Sequence, residues 1–282
     1  MNSIKEKGMK WLFTAAASAS ILCVFLICAF LFVNGFSTMG KIGFTEFIFG
    51  TVWKPLNNIF GILPMILGSV EVTLLAFVFG VPIGLLCAIF LVYFCPKKIY
   101  SKMKSVIDLL AGIPSIVYGF FGLVCIVPIF RNLFGGSGKS IFTAGFLLGI
   151  MILPTIVSVS ESSLKAVDKN YYEGALALGA THERSVFFAS VPAAKSGIIA
   201  GIILGMGRAI GETMAVNYVI GNQALMPFDI FTGGRTLTTN IVLEMGYATD
   251  LHRDALIATA VVLFIFILII NLSFAFLKRR IR

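Results

Sequence analysis

Six stretches of this sequence stay predominantly apolar for more than 20 residues each, and no other feature constrains the fold as tightly. They are Trp11–Val33, Gly68–Phe94, Asp108–Phe130, Ile141–Leu164, Gly197–Gly221 and Ala255–Leu277. A helix rises about 1.5 Å per residue, so about 20 residues cross the ~30 Å hydrocarbon layer of a bilayer. Inside lipid the backbone must satisfy its own hydrogen bonds, and apolar runs of this length therefore read as helices. The chain is 58% hydrophobic and 12% charged, whereas a soluble domain is about 25% charged. No water-soluble core of this size hides so much apolar surface. The expected fold class is an all-α membrane protein with six transmembrane helices. Within Ile62–Phe94, Pro64 and Gly68 are expected to separate a shallow interfacial piece from the helix proper.

Charge gives the orientation. Fifteen of the 22 Lys and Arg residues precede the first span, follow the last, or lie between spans two and three or four and five. Six lie in the other three connections, and Arg208 lies inside a span. The positive-inside rule then puts both termini in the cytoplasm, with Lys278, Arg279, Arg280 and Arg282 anchoring the last helix there. The formal charge of +9 is mostly this topology signal and gives no reason to expect nucleic acid. The five cysteines lie in or beside spans and read as small packing residues, not a disulfide framework. The first apolar run is 23 residues long with no A-x-A site after it, so it reads as an uncleaved anchor.

No connection exceeds 34 residues, which leaves no room for a soluble catalytic domain. The expected division is an N-terminal helix and external segment over 1–67, a core over 68–277 and a basic tail over 278–282. The core carries its cytoplasmic connection at 165–195. His182 and His252 lie far apart, and neither H-E-x-x-H nor G-x-S-x-G occurs. Gly135–Ser140 imitates the end of a phosphate-binding P-loop, but Leu133 stands where the pattern needs glycine and a span precedes it. It reads as a flexible turn, so the chain is not expected to be an enzyme or to bind nucleotide itself.

The connection between spans four and five reads as two short helices. Asn170 is the expected cap of the first, with Glu173 three positions on. Gly179 suits the left-handed residue that ends it. Thr181 can cap the second, and Pro192 lies where the chain turns back to the membrane. Gly174, Ala175, Ala177, Gly179 and Ala180 would let another surface approach closely, unless the segment merely rests on lipid headgroups.

Span five carries a costly pair, Arg208 and Glu212, each worth about 2.5–3.5 kcal/mol against insertion. At i and i+4 of one continuous helix they would meet. At roughly 100° per residue Gly197, Gly201, Gly205, Arg208, Glu212 and Ala215 share an arc of about 80°. That face belongs inside a bundle. Arg208 either helps pass an anion, with Glu212 moderating its affinity, or the pair is a clamp between helices. Thr213 follows directly, and Glu161 among four serines is a weaker pathway candidate. Glu71, beside Ser69 and Thr73, is either a site residue or simply solvated.

The segment Glu173-Gly174-Ala175 with Gly179 and Pro192 resembles the E-A-A-x3-G-x9-I-x-L-P signature of bacterial ABC importer permeases. Gly174, Ala189 and Val191 depart mildly from it. The strings Gly207–Val216, Ala111–Gly119, Trp53-Lys54-Pro55 and Phe60–Pro64 look like the permeases of phosphate-specific ABC importers, and Thr213–Val216 like their C-type rather than A-type subunit. The resemblance implies a type I ABC importer permease fold in a bacterial or archaeal cytoplasmic membrane. It implies a second, A-type permease subunit, a dimer of ATPase subunits holding ATP and magnesium, and an extracytoplasmic phosphate-binding protein. Glu173, Gly174, Ala175, Gly179, Ala180, Thr181 and Pro192 would form the ATPase coupling segment. Arg208, Glu212, Thr213 and Glu161 would line the substrate path. The external loops, Arg235–Thr238 included, would face the binding protein. The alternatives are a permease for sulfate or molybdate, or a membrane scaffold or lipid-processing enzyme.

Overall fold

The computed structural model describes residues 2–280, without the side chains of 2–5, 274, 275 and 277–280; the side chains of the expected basic tail 278–282 therefore lie outside it. Nearly all of the described chain is helix. Helix α1 (Asn2–Ile42) is followed by α2 (Phe44–Phe49) and a hairpin of β1 (Trp53–Lys54) and β2 (Ile59–Phe60), antiparallel with Trp53 opposite Phe60. Helix α3 (Leu63–Ile89) ends in a π-turn at Phe90–Phe94. After α4 (Lys97–Gly112) come α5 (Ser115–Phe121), a second π-turn, and α6 (Val127–Phe134). Helix α7 (Ile141–Lys165) leads into α8 (Lys169–Ala177), α9 (His182–Ser185), a third π-turn (Val186–Ser190) and α10 (Val191–Ala193). The chain then forms α11 (Lys195–Gly211), α12 (Met214–Val219), α13 (Leu237–Glu244) and α14 (Asp250–Arg280).

Five of these segments are long and apolar enough to cross a bilayer, and the pair His182–Ala193 and Lys195–Gly211, bent by 70°, supplies a sixth. Several boundaries differ from the sequence reading; the first helix runs on to Ile42, past the expected end at Val33. Helix α3 runs unbroken through Pro64 and Gly68. Pro64 sits in the first turn, where its missing N–H is not needed. A Cβ at Gly68 would strike the Arg235 carbonyl, so this glycine allows close packing instead of marking a boundary. The third span starts at Ser115, not Asp108, because Ile113 and Pro114 are extended. A residue before proline is pushed out of the helical region. The fifth span does not continue to Gly221: α11 stops at Gly211.

Helices pack where small residues let backbones approach, which is how association works without a hydrophobic difference from lipid. A Cβ at Gly80 or Gly84 of α3 would collide with Ile152 or Ile156 of α7. On α11, Gly197, Gly201 and Gly205 face Ser163, Val159 and Ile156 of α7, so the expected glycine face does turn into the bundle. The core around Leu147, Met151, Ile152 and Ile156 is fully buried. Helices α1 and α14 lie side by side through Gly35, Ala258 and Val261 and join a second core around Phe47, Trp53, Leu237 and Leu256. That core marks one end of the bundle, the hairpin end; α8–α10 mark the other, the elbow end.

Candidate functional site

The elbow is built by local rules. Asp168, extended at φ −60 and ψ 131, caps α8 by accepting from Asn170 N–H at 2.9 Å. The cap therefore sits two residues before the expected Asn170, which becomes the capped donor. Gly179 has φ +89, a conformation that excludes ordinary side chains. Its N–H reaches Leu176 O at 2.9 Å while Ala180 N–H reaches Ala175 O at 3.1 Å, a Schellman closure. Thr181 Oγ1 accepts from Arg184 N–H at 3.3 Å and starts α9. Pro192 is exposed two residues before the bend at Ala194.

No residue of α8 is buried. Glu173, Gly174, Gly179 and Thr181 are exposed, and Ala175 and Ala180 half-buried. A Cβ at Gly174 or Gly179 would meet nothing within 4 Å. Leu178 is 91% exposed at the end of α8, and Tyr171 is exposed on the same short helix.

The second candidate is the break in the fifth span. Glu212 is extended, at φ −71 and ψ 132. Its carboxylate turns forward to accept from Ala215 N–H at 3.2 Å, and its carbonyl accepts from Thr238 Oγ1 at 3.2 Å. Irregular backbone at membrane depth persists only where such partners replace the lost helical bonds. Glu212 is thus a cap for α12, and among the described residues it makes no ion pair with Arg208. Arg208 lies 13 residues into α11, about 20 Å from its start. It is half-buried and takes no hydrogen-bond partner among the described residues, with Tyr118 of α5 within electrostatic reach. Gly207 and Gly211 lie off the glycine face, and a Cβ at either would meet nothing within 4 Å, so the side of α11 they occupy is left unpacked by this chain. Thr213 is half-buried at the break. Gly119 packs against Ala215 and Tyr218, so the strings Ala111–Gly119 and Gly207–Val216 meet in space.

Glu161 is not at this break. It is buried on α7, opposite the Gly197–Gly201 stretch of α11 and so about 13 Å along the axis from Arg208. Its carboxylate takes Lys165 Nζ at 2.8 Å, Lys104 Nζ at 3.1 Å and the Tyr100 hydroxyl. Lys104 also reaches Asp108 at 3.3 Å. Burial works against the Lys104 charge, but the bonds to Glu161 and Asp108 outweigh it and hold the ammonium above its ordinary range. This ring ties α4 to α7. Glu71 of α3 is only partly exposed, and one of its oxygens is buried without a partner.

Sequence reasoning missed a third cluster, at the hairpin end. Glu244 is buried and accepts from Trp53 Nε1 at 2.8 Å, Arg235 at 2.6 Å and His252 Nε2 at 2.8 Å. Arg235 also donates to Asn222 O at 2.9 Å and Asn240 Oδ1 at 2.9 Å. Arg235, only 14% exposed, therefore points into the protein, and Thr236 and Thr238 are buried with it. The expectation that Arg235–Thr238 faces a partner is corrected: its donors are consumed inside the chain. Burial, and after it the Glu244 charge, push the Tyr247 phenol above its usual range.

An exposed two-helix elbow, joined to a helical bundle with an interrupted late span, defines a transport permease. The chain belongs to the family described as binding-protein-dependent transport system inner membrane component, which matches residues 80–282. It is a multi-pass membrane protein of that family. It is 37% identical to the probable ABC transporter permease protein YqgH of Bacillus subtilis, over 95% of this chain and 90% of that one. It is 34% identical to the phosphate transport system permease protein PstC of Xylella fastidiosa, over 90% and 85%. Among solved structures, a permease of a bacterial alginate ABC importer aligns with a TM-score of 0.68 at 16% identity, covering 99% of each chain. The inward-facing MetNI methionine transporter gives 0.63 at 20%, covering 82% of this chain and 100% of the other. These likenesses fix the fold as that of ABC importer permeases.

Proposed function

We propose that this chain is one of two permease subunits of an ATP-driven importer that moves inorganic phosphate by alternating access. The observation that carries the reading is Arg208, a half-buried guanidinium well inside the fifth span, close to a backbone break and without a partner among the described residues. A charge in that position is expensive and is retained where it serves an ion path. Its planar fork suits a tetrahedral oxyanion through paired charge-assisted hydrogen bonds. Glu212, held by the α12 N-terminus, leaves that fork free. The likeness to phosphate permeases supports phosphate as the anion.

In this reading the second, A-type permease subunit completes the path beside α11. Two ATPase subunits, holding ATP and magnesium, dock on Glu173–Thr181 at the cytoplasmic side, and a phosphate-binding protein delivers its cargo at the hairpin end. This chain supplies no ATPase chemistry. The test is Arg208→Ala in the complete complex in proteoliposomes. Uptake falls about 10- to 100-fold, the worth of a charge-assisted hydrogen bond, while the subunits still co-purify. Uptake at the wild-type rate would return Arg208 to a purely structural role.

A further inference from the structure

The elbow stands off the bundle. No residue of α8 is buried, and a cavity of about 390 Å³ lies beneath it, lined by Tyr93, Leu164, Lys165, Asp168 and Ser190 among others. One α8 side chain crosses to the apolar cluster on the far side, Tyr172. Its hydroxyl shares a hydrogen bond with His182 Nδ1 at 2.7 Å, and its ring lies 6.2 Å from that of Tyr93. The His182 ring meets Phe94 edge-on at 4.8 Å. Tyr93 and Phe94 belong to the π-turn that ends α3, and α3 lies along α7 through its close-packed glycines.

We propose that Tyr172 and His182 form a strut through which the elbow bears on the end of α3. The inference rests on the reading of the elbow as the ATPase coupling segment. A cavity lies under part of α8, and stiff aromatic rings with few rotatable bonds cross it. Tyr172 of α8 meets Tyr93 while His182 of α9 meets Phe94, two ring contacts side by side on the end of α3. The hydrogen bond fixes Tyr172 against His182, so α8 and the start of α9 move as one piece. The two are positioning residues: they touch neither phosphate nor ATP, and they act on the path by moving α3.

The experiment measures phosphate imported per ATP hydrolysed, with ATPase, both permeases and binding protein in proteoliposomes, and recovery of the ATPase in detergent. Tyr172→Ala is expected to keep the ATPase bound and to lower the ratio roughly tenfold. Tyr172→Phe and His182→Phe keep the rings and lose only the bond, so a fall of roughly threefold to fivefold is expected. His182→Gln, which can still bond the hydroxyl but loses the ring against Phe94, is expected to fall at least as far as His182→Phe. An unchanged ratio in all the loaded variants overturns the strut. Loss of the ATPase from Tyr172→Phe would place Tyr172 in the docking surface and overturn it too. A wild-type complex that recruits no ATPase at all takes the elbow reading down first, and the strut with it.

Discussion

The two ends of the bundle are built on opposite plans. At the hairpin end one buried carboxylate, Glu244, gathers the hairpin, the 222–240 segment and α14 through Trp53, Arg235 and His252. The Glu244 and Arg235 charges answer each other within the chain. At the elbow end α8 projects with no buried residue, a cavity under it, and Leu178 almost wholly in the open. The Glu244 pairs cannot separate without leaving a buried charge unmatched, which ties the elements of the first end together. The second end has few contacts to lose, and regions with sparse buried contacts open most easily. In the proposed reading the contrast is one between a fixed platform and a moving lever.

Three substitutions test that contrast. The largest effect is expected from Glu244→Ala, which strands Arg235 and removes the acceptor for Trp53 and His252. Breaking a buried pair in this way costs about 3–5 kcal/mol, read as a lower midpoint of thermal unfolding in detergent. A midpoint equal to wild type would mean the platform is not held by Glu244. Gly179→Trp comes next. The left-handed residue costs about 1–2 kcal/mol with a side chain, and the indole projects from the exposed elbow. Unfolding is expected to stay near wild type while ATPase recovery is abolished; a stoichiometric ATPase complex would count against the elbow as the docking site. The smallest effect is Asp168→Ala, loss of the α8 cap at about 1 kcal/mol. Amide exchange should quicken in 169–177 alone. Faster exchange spreading into α7 would mean the lever is not separate from the bundle.

The elements that local chemistry decides were legible from residues alone. Gly179 closes α8 and Thr181 starts α9 because those roles depend on a few neighbouring atoms. The glycine face of α11 follows from helical periodicity and packs as expected. The break at Glu212 was not legible, since a wheel drawn at constant pitch assumes the continuity it would need to test. At the break the Glu212 carbonyl is answered by Thr238, 26 residues on, and its carboxylate by Ala215 N–H, partners that no local pattern announces. The Glu244 cluster escaped for a similar reason: Trp53 and Glu244 are 191 positions apart. Its one local hint is Glu244 and His252, eight residues apart across a turn. Glu161 drew notice as an acid in an apolar run, but Lys104 and Tyr100, which answer its charge, come from another helix.

The length of α1 has an outcome for whatever meets the hairpin end. At 41 residues it measures about 60 Å, twice the thickness of the oily layer it crosses. Its apolar stretch ends at Val33, so the nine residues to Ile42 rise about 13 Å further like a mast, stayed against α14 at Gly35. The hairpin core, which packs on Met39 of this extension, is thereby carried clear of the lipid headgroups.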